Sequence, residues 1–345
     1  MKQRKMCVRL YLLLIALLTV IISGCGKDLD ATSEDSENIE LLNVSYDPTR
    51  EFYVAYNELF CRYWKEKSGK DVTITQSHGG SGSQARSVIE GNEADVVTLA
   101  LAHDITAIEE SGMIDRGWLS EFEGDSSPYT STIVFLVRKG NEKNIHDWND
   151  LVKEGVEVIT PNPKTSGGAC WNFLAAWAYQ QAQDGGDEEL TRAFMKDLYQ
   201  NVLVLDSGAR GATNTFVENG QGDVLIAWEN EAYLSMKEYP DDYEIITPSI
   251  SILAQPSVAV VDSNVEEHGT REAAEAYLEY LYSDEAQRLA GSHYYRPSKE
   301  NILQEFSEQF DLNMNLVTID DFGGWDEAYR IYFDDGAIFD QIYED

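Results

Sequence analysis

The chain has 345 residues, of which 26 are Lys or Arg and 61 are Asp or Glu, so its formal net charge is −35 at pH 7. A charge this negative argues against nucleic-acid binding, which requires a basic surface. The length suits one large or two medium domains. Beyond the N-terminal segment, no stretch reaches the roughly 20 apolar residues that a membrane-spanning helix needs, so we expect a soluble body.

The N-terminus has the pattern of an export signal. Basic residues precede an apolar run of 13 residues, Leu10 to Ile22, which is too short to span a bilayer and suits the apolar core of a signal peptide. The run ends in Ile22-Ser23-Gly24-Cys25, the lipobox pattern of bacterial lipoproteins. We predict a lipoprotein signal peptide over residues 1–24 and lipidation of the Cys25 thiol. The alternative is a plain secretory signal with an incidental Cys.

Residues 25–39 are polar, acidic and free of aromatic side chains. Such a segment cannot bury enough apolar surface to order itself, so we predict a flexible tether between the lipid anchor and the folded body. Removing residues 1–24 takes away four basic and no acidic residues, which changes the formal charge from −35 to −39.

Strand patterns alternate with helix patterns along the body. Strands are predicted over residues 41–46, 71–76, 95–99, 133–138, 156–160, 202–205, 224–228 and 257–261. The first helix is predicted to have Asp47 at its N-cap and Pro48 at its first position, and to end at Gly69. Further helices are predicted over residues 169–183 and 271–281 and after the strands that end at 205 and 228.

This alternation predicts an α/β fold in which mostly parallel sheets are flanked by helices. The number of strands suits two sheets and therefore two lobes. We assign residues 40–125 and 250–298 to lobe 1 and residues 126–249 to lobe 2. Residues 299–345 are predicted to form a C-terminal helical segment that packs on the lobes.

Four loops share one design, in which a strand ends, a short polar or Gly-rich turn follows, and a helix begins. In open α/β sheets, ligands bind outside the carboxyl ends of the strands. A helix N-terminus at that edge presents unpaired N–H groups and a partial positive charge, which favours an anion. A single loop of this kind is ordinary turn chemistry, but four in one chain point to an anion site. The loops are Tyr46–Thr49, Gly79–Ser83, Thr165–Ala169 and Asp206–Gly211.

Enzymatic interpretations of the same residues are weaker. Residues 79–83 do not form a GxSxG nucleophile motif, and no phosphate-binding Walker sequence is present. Residues 80–85 fit GxGxxA, but a nucleotide cofactor outside the cell is improbable. An esterase would need a base beside its nucleophile, and the single candidate is His78, three residues before Ser81. We therefore expect no enzymatic activity and no cofactor.

The remaining cysteines and histidines give no sign of a metal site. Cys61 and Cys170 lie in segments that look like two different helices, which favours two buried thiols and leaves a disulfide as the alternative. The five His residues show no metal-ligand spacing.

From about residue 40 to the end, the chain resembles the family of bacterial periplasmic sulfate-binding proteins, the solute-binding components of ABC importers. The likeness rests on long and specific motifs. These are Leu42–Arg50, Gln76–Gly82, Ser127–Gly140, Ile145–Leu151, Val158–Pro163, Asp206–Gly211, Thr213–Glu218, Gly222–Ala232 and Asp320–Trp325. The resemblance implies a two-lobed, hinged type II periplasmic-binding-protein fold with the ligand in the interlobe cleft.

The resemblance also implies the contacts to sulfate. Backbone N–H groups would be donated by Asp47, Ser81, Gly167, Gly168 and Ala209. Ser166 would donate its hydroxyl and Trp228 its indole N–H. The carboxylate of Asp47 is expected to cap its own helix and to face away from the ligand.

Two neighbouring residues depart from the family pattern. Ser83 stands where a Lys is usual, and Cys170 stands where an Arg is usual. Neither position contacts sulfate in the family, so the ligand prediction is unchanged, but the local charge differs.

We thus expect a monomeric, lipid-anchored extracytoplasmic protein that delivers sulfate to the permease of an ABC importer. Thiosulfate, molybdate and tungstate remain open as ligands, because the sequence does not measure cavity width. Phosphate is a weaker alternative, because its proton needs an acceptor that the loops do not obviously supply.

Overall fold

The structure is a computed structural model that describes residues 38–344, apart from the side chains of Asp184 and Glu344. The predicted signal peptide, the lipidation site Cys25 and the tether as far as residue 37 lie outside the described residues. The first strand begins at Ile39, two residues before its predicted start and at the last residue assigned to the tether.

Strands alternate with helices through most of the described residues. In chain order the strands are β1 (Ile39–Tyr46), β2 (Val72–Gly79), β3 (Val96–Leu99), β4 (Tyr129–Thr130), β5 (Ile133–Arg138), β6 (Val158–Pro161), β7 (Val202–Asp206), β8 (Val224–Trp228), β9 (Tyr243–Ile246), β10 (Ser251–Ile252), β11 (Ser257–Val260), β12 (Arg296–Pro297) and β13 (Leu316–Val317).

The helices follow most of the predicted positions. In chain order they are α1 (Arg50–Ser68), α2 (Ser81–Ile89), α3 (Ala102–Glu110), α4 (Gly167–Asp184), α5 (Glu188–Gln200), α6 (Ala209–Val217), α7 (Glu229–Glu238), α8 (Asp262–His268), α9 (Arg271–Tyr280), α10 (Asp284–Ser292), α11 (Glu300–Leu303), α12 (Trp325–Tyr332) and α13 (Ile338–Glu344). Short 3₁₀ helices cover Asp47–Thr49, Trp118–Ser120, Trp148–Asp150, Gln304–Phe306 and Ile319–Phe322. Residues 123–126 form a single turn with left-handed backbone at Gly124 and Asp125.

Lobe 1 is built on a four-stranded sheet in the order β11-β3-β1-β2. Strand β1 runs parallel to β2 and β3, and β11 runs antiparallel to β3. The carboxyl ends of β1, β2 and β3 therefore meet at one edge of the sheet. Helix α1 covers one face with aromatic side chains such as Phe52, Tyr56 and Phe60, and it ends at Gly69, whose φ of 75° gives the left-handed cap that the sequence predicts.

Lobe 2 is built on a five-stranded sheet in the order β7-β6-β8-β5-β9. Strand β6 runs parallel to β7 and β8, so these three strands also end at one edge. Strand β5 runs antiparallel to both β8 and β9. The prediction of an α/β fold with two sheets is confirmed, although lobe 2 contains more antiparallel pairing than expected.

The chain crosses between the sheets along paired segments, which we call the hinge (residues 127–132 and 249–256). Ser131 and Ala254 exchange backbone hydrogen bonds of 2.9 Å in each direction. The Ser251 hydroxyl donates to Ile133 O at 2.7 Å, and Thr132 Oγ1 donates to Ile252 O at 2.9 Å. The hinge thus consists of a few residues at the ends of strands, which is typical of proteins whose domains close around a ligand.

The C-terminal segment packs on lobe 2 through aromatic side chains. The ring centroids of Trp325 and Trp171 are 4.7 Å apart, and those of Tyr332 and Trp177 are 5.0 Å apart. Lys164 Nζ donates to the backbone of Phe333 at 2.9 Å. Within residues 38–344, no helix is both long enough and apolar enough to cross a membrane.

A buried ion pair joins β12 to the start of α7. Arg296 donates to both carboxylate oxygens of Glu229, at 2.7 and 2.9 Å. The two side chains are 6% and 4% exposed. Removing one partner of such a pair leaves an uncompensated buried charge, which is far more costly than losing a surface ion pair.

Replacing Arg296 with Met should therefore lower the free energy of unfolding by about 3–5 kcal/mol, as measured by equilibrium urea unfolding. The matched control is Arg288→Met, which removes the exposed pair with Glu305 and should cost at most about 1 kcal/mol. Equal losses in the two variants would contradict the structural role assigned to the Arg296–Glu229 pair.

Candidate ligand-binding site

Five helix starts lie at the edges where the parallel strands of the two lobes end. The 3₁₀ helix Asp47–Thr49 follows β1, and α2 follows β2 with Gly80 at its N-cap. In lobe 2, α4 begins after β6, α6 after β7 and α7 directly after β8. The N–H groups of each first turn have no acceptor within their own helix. Together with the helix dipoles, they make this region suited to an anion.

Glycines bring the loops of the two lobes into direct contact. A Cβ placed on Gly167 would lie 2.8 Å from Leu101 Cγ and 3.0 Å from Ser81 Cβ, both in lobe 1. One placed on Gly80 would collide with the carbonyl oxygen of Thr165 in lobe 2. Since real Cβ atoms are almost never closer than 3.0 Å to such neighbours, a side chain at either position would hold the lobes apart.

The lobe 2 residues of the predicted site also lie together. Ser166 is the N-cap of α4 and is 3% exposed. A Cβ placed on Gly168 would lie 3.5 Å from Ser166 Oγ. Trp228 is the N-cap of α7, and its indole N–H donates to Gly168 O over a long 3.3 Å. Ala209, the first residue of α6, lines the same small cavity as Trp228. Asp47 and Ser81 approach from lobe 1, so the structure brings all the predicted contact residues to one place.

The prediction that the Asp47 side chain caps its own helix is wrong. Tyr46, not Asp47, is the N-cap of the 3₁₀ helix, and no side-chain capping bond is made there. Strand β1 remains paired with β2 through Tyr46, and Thr49 Oγ1 donates to Tyr46 O at 2.7 Å. The helix therefore starts one residue earlier than the sequence suggested. The Asp47 carboxylate instead lies against Gly208 across the cleft, and burial raises its pKa.

A polar network fixes the start of α2. The Ser81 hydroxyl donates to Asp104 Oδ2 at 2.5 Å and accepts a hydrogen bond from the Ala100 N–H at 3.0 Å. Asp104 is 6% exposed, and burial raises its pKa to about 6. No local pattern signals this network, because Ser81 at the start of α2 meets Ala100 and Asp104, at the start of α3, only at the edge of the sheet.

Arg210 forms a bridge between the lobes that sequence reasoning missed. Its guanidinium donates twice to Glu51 of lobe 1, at 2.8 Å each, and twice to Glu231 of lobe 2, at 3.0 and 2.9 Å. The hydrogen bonds that Arg210 donates to the Glu51 carboxylate are the main cause that raises the pKa of Arg210. This cation of the loop Asp206–Gly211 is thus engaged by two carboxylates. The sequence shows Arg210 in the motif Asp206–Gly211, but it does not show that the guanidinium contacts Glu51 and Glu231.

The geometry does not support a nucleophile and base at His78 and Ser81. His78 Nε2 lies 2.8 Å from Gln76 Oε1, and Nδ1 lies 3.4 Å from Tyr46 O. Burial lowers the pKa of His78 to about 4, so the ring is neutral near pH 7. The Ser81 hydroxyl is directed at Asp104 instead, so His78 positions its loop.

The two cysteines of the described region are free thiols, as the sequence favoured. Cys61 lies on α1 with its Sγ 3.3 Å from Val72 O, and Cys170 lies fully buried in the first turn of α4. Among residues 38–344, no group of three or more His, Cys, Asp or Glu side chains could hold a metal ion.

Comparisons with known proteins agree with the geometry. The sulfate-binding protein of Escherichia coli K12 is 59% identical over 316 residues, which cover 91% of this chain and 96% of that protein. The thiosulfate-binding protein of Pseudomonas aeruginosa is 47% identical over 306 residues, covering 88% and 92%. Both are named as binding proteins and not as enzymes.

Solved structures give the same result. The sulfate-binding protein SubI from Mycobacterium tuberculosis H37Rv superposes with a TM-score of 0.78 at 31% identity, covering 86% of this chain and 100% of that one. A periplasmic thiamin binding protein shares the fold alone, with a TM-score of 0.61 at 17% identity and coverage of 81% and 89%. Residues 49–296 match the family model described as bacterial extracellular solute-binding protein. The chain therefore belongs to the bacterial extracellular solute-binding proteins, in the group that includes the sulfate-binding proteins.

Proposed function

We propose that the protein is an extracytoplasmic lipoprotein that captures sulfate between its lobes and delivers it to an ABC sulfate importer. The observation that carries this proposal is the convergence of helix N-termini from both lobes on one point, where glycines allow the backbones to approach. The high identity to proteins named sulfate-binding supports the choice of anion.

The proposed site holds the dianion with neutral donors. Backbone N–H groups of Asp47, Ser81, Gly167, Gly168 and Ala209 would bind it together with the Ser166 hydroxyl and the Trp228 indole, which would release Gly168 O. Each hydrogen bond to a charged group contributes roughly 1.5–3 kcal/mol. A buried dianion is costly unless it is fully hydrogen-bonded, so the set of donors must be nearly complete.

Closure of the lobes completes this set of donors. Asp47 and Ser81 belong to lobe 1 and the remaining donors to lobe 2, so a ligand held by both favours the closed form. The bridge from Arg210 to Glu51 spans the same cleft and adds to the closed form. An importer that recognises the closed arrangement would then distinguish the loaded from the empty protein.

Selectivity against phosphate follows from the absence of a suitable acceptor. Near neutral pH, phosphate carries a proton that needs an acceptor, whereas sulfate does not. The one carboxylate of the proposed contact set belongs to Asp47, and in our proposal it stays turned toward Gly208 and Arg50 and does not accept from the ligand. Buried polar mismatches discriminate between ligands more strongly than differences of size.

The strong negative charge is compatible with binding an anion. Exposed charges act weakly beyond about 8 Å at physiological salt, so the acidic surface slows association without setting the energy of the bound state. Lipidation of Cys25 would keep the protein at the outer face of the membrane, beside the permease, where we expect it to act as a monomer.

Thiosulfate is a second candidate ligand. The relative from Pseudomonas aeruginosa is named a thiosulfate-binding protein and is 47% identical. In thiosulfate a larger sulfur atom replaces one oxygen of sulfate, and this dianion also needs hydrogen-bond donors. The proposed site could therefore hold both anions.

Calorimetric titration of the purified full-length protein at pH 7.5 tests the assignment. We expect heat from sulfate and none from phosphate, because the donors leave the phosphate proton without an acceptor. Thiosulfate and molybdate in the same series measure how far the site accepts larger anions. Tight phosphate binding, or no binding of sulfate, would overturn the proposal.

Ser166→Ala should weaken sulfate binding by about 1–3 kcal/mol, since it deletes one hydrogen bond to a charged group. Ser111→Ala is the matched control, because the Ser111 hydroxyl bonds only locally to Ile108 O in lobe 1. An affinity equal to that of the control would remove Ser166 from the proposed contacts.

Gly167→Ala should weaken sulfate binding by about 1–3 kcal/mol, the usual cost of overpacking, because the added Cβ would strike Leu101 and Ser81 of the opposite lobe. Titration gives the affinity, and small-angle X-ray scattering with saturating sulfate gives the degree of closure. Gly79→Ala is the control, since its Cβ would lie an ordinary 3.4 Å from Gln84. If the Gly167→Ala protein closes fully and binds sulfate with unchanged affinity, the contact of Gly167 with Leu101 and Ser81 does not limit closure.

A further inference from the structure

We propose that Lys164 is a positioning residue for sulfate binding, which holds the loop of the proposed donors at residues 166–168 against the C-terminal segment. This inference rests on the proposed function of the same loop. Lys164 acts through hydrogen bonds to the C-terminal segment and does not itself touch the anion.

The Lys164 ammonium is surrounded by acceptors from the C-terminal segment. Lys164 lies in the loop between β6 and α4, and its side chain is 27% exposed. Its Nζ donates to Phe333 O at 2.9 Å, to Asp334 O at 3.2 Å and to Asp340 Oδ2 at 2.9 Å. The exposed Asp335 is a more distant acceptor at 3.3 Å. An ammonium has three N–H donors, so this segment can satisfy all of them.

The charge of Lys164 is matched within the protein. Burial lowers the pKa of this ammonium, but the hydrogen bonds to Asp340 and Asp335 outweigh burial and raise it. Burial likewise raises the pKa of Asp340, and the hydrogen bond from Lys164 outweighs it and lowers that pKa. Lys164 is therefore a cation engaged by carboxylates, and we assign its role to the geometry of the loop and not to attraction of sulfate.

The C-terminal segment offers these acceptors from a fixed place. Asp340 Oδ2, which accepts from Lys164, also accepts the Gly336 N–H at 2.7 Å. Phe339, the neighbour of Asp340 on α13, is 3% exposed, and its ring centroid lies 5.3 Å from that of Tyr199 on α5. The acceptors of Lys164 are thus anchored on lobe 2.

The loop is held on its other side by its own turn and by the neighbouring loop. Asn162 O accepts the N–H groups of Thr165 and Ser166, at 3.1 and 2.9 Å. Thr165 Oγ1 donates to Ser207 O at 2.9 Å. Lys164 adds the tie toward the C-terminal segment, so two separate elements of the structure fix the same loop.

This loop meets both the proposed ligand and the opposite lobe. Residues 166–168 supply proposed contacts to sulfate, and a Cβ placed on Gly80 of lobe 1 would collide with Thr165 O. Binding groups must be held within about 0.5 Å of the productive geometry by the residues behind them. A loop that shifts would therefore misplace several donors and the contact with Gly80 together.

Titration calorimetry of the full-length protein with sulfate at pH 7.5 tests this role. Lys164→Met removes the donors but keeps an unbranched side chain, so the affinity should fall about tenfold, because the loop must then be ordered when sulfate binds. Lys143→Met is the matched control in lobe 2, since Lys143 also donates to a backbone carbonyl, that of Gly155, and pairs with Asp223 at 3.3 Å. The control should bind sulfate as the unaltered protein does.

Two substitutions of Asp340 separate positioning from attraction by charge. Asp340→Asn can keep both hydrogen bonds, because Lys164 and Gly336 donate to the same oxygen, so sulfate affinity should be unchanged. Asp340→Ala loses the acceptor and should weaken binding, with no further loss when it is added to Lys164→Met. If the charge of Lys164 attracted sulfate, both substitutions would tighten binding, because each removes a counter-charge.

A spectroscopic readout distinguishes positioning of the loop from a general loss of stability. With nitrogen-15 labelled glycine and saturating sulfate, the amide signals of Gly167 and Gly168 should move in Lys164→Met. The signal of Gly69, at the end of α1 in lobe 1, should stay in place. Urea unfolding of the same variants measures stability separately. A variant that loses stability but keeps its sulfate affinity and both loop signals would show a purely structural role for Lys164.

The outcomes are distinguishable. Unchanged sulfate affinity in Lys164→Met overturns this inference and leaves the proposed function intact. Tighter binding by Asp340→Ala also overturns it, in favour of attraction by charge. If Lys164→Met does not fold, the two Asp340 variants decide between these outcomes. Failure of the unaltered protein to bind sulfate would instead reject the proposed function.

Discussion

The architecture depends on bringing first-turn N–H groups from two separate lobes to one point. Such groups lack acceptors within their own helices, and they can surround a small anion only if the backbones approach closely. Glycines at 80, 167 and 208 make that approach feasible, since a Cβ at any of them would meet the facing loop. The hinge segments join the two sheets, and the parallel strands of these sheets place the helix starts at facing edges.

The charged side chains near the cleft are arranged to satisfy one another. Arg210 is held by Glu51 and Glu231, and Arg296 by Glu229. Such pairing engages these cations within the protein, and the two pairs of Arg210 tie lobe 1 to lobe 2. Asp104 differs from these carboxylates, because it accepts a hydrogen bond from the Ser81 hydroxyl rather than from a cation.

Much of the fold was predictable from local patterns. The strands 133–138 and 224–228 were placed at their observed bounds, and the Gly69 helix end and the four strand–loop–helix units were identified, because alternation and glycine act within a few residues. The Asp47 cap was wrong for a non-local reason. The Asp47 carboxylate lies across the cleft against Gly208, which is distant in the chain, and Tyr46 takes the N-cap position without a side-chain capping bond.

The sequence by itself determined the α/β class and, through its motifs, the family, and its four loops predicted an anion site. It also identified every residue of the proposed contact set. Only the tertiary structure decided which side chains pair across the cleft, that Trp228 lies against Gly168, and that Ser81 depends on Asp104. Loop motifs are local in the chain, whereas ion pairs, burial and the resulting pKa shifts are set by elements that meet only when the two lobes come together.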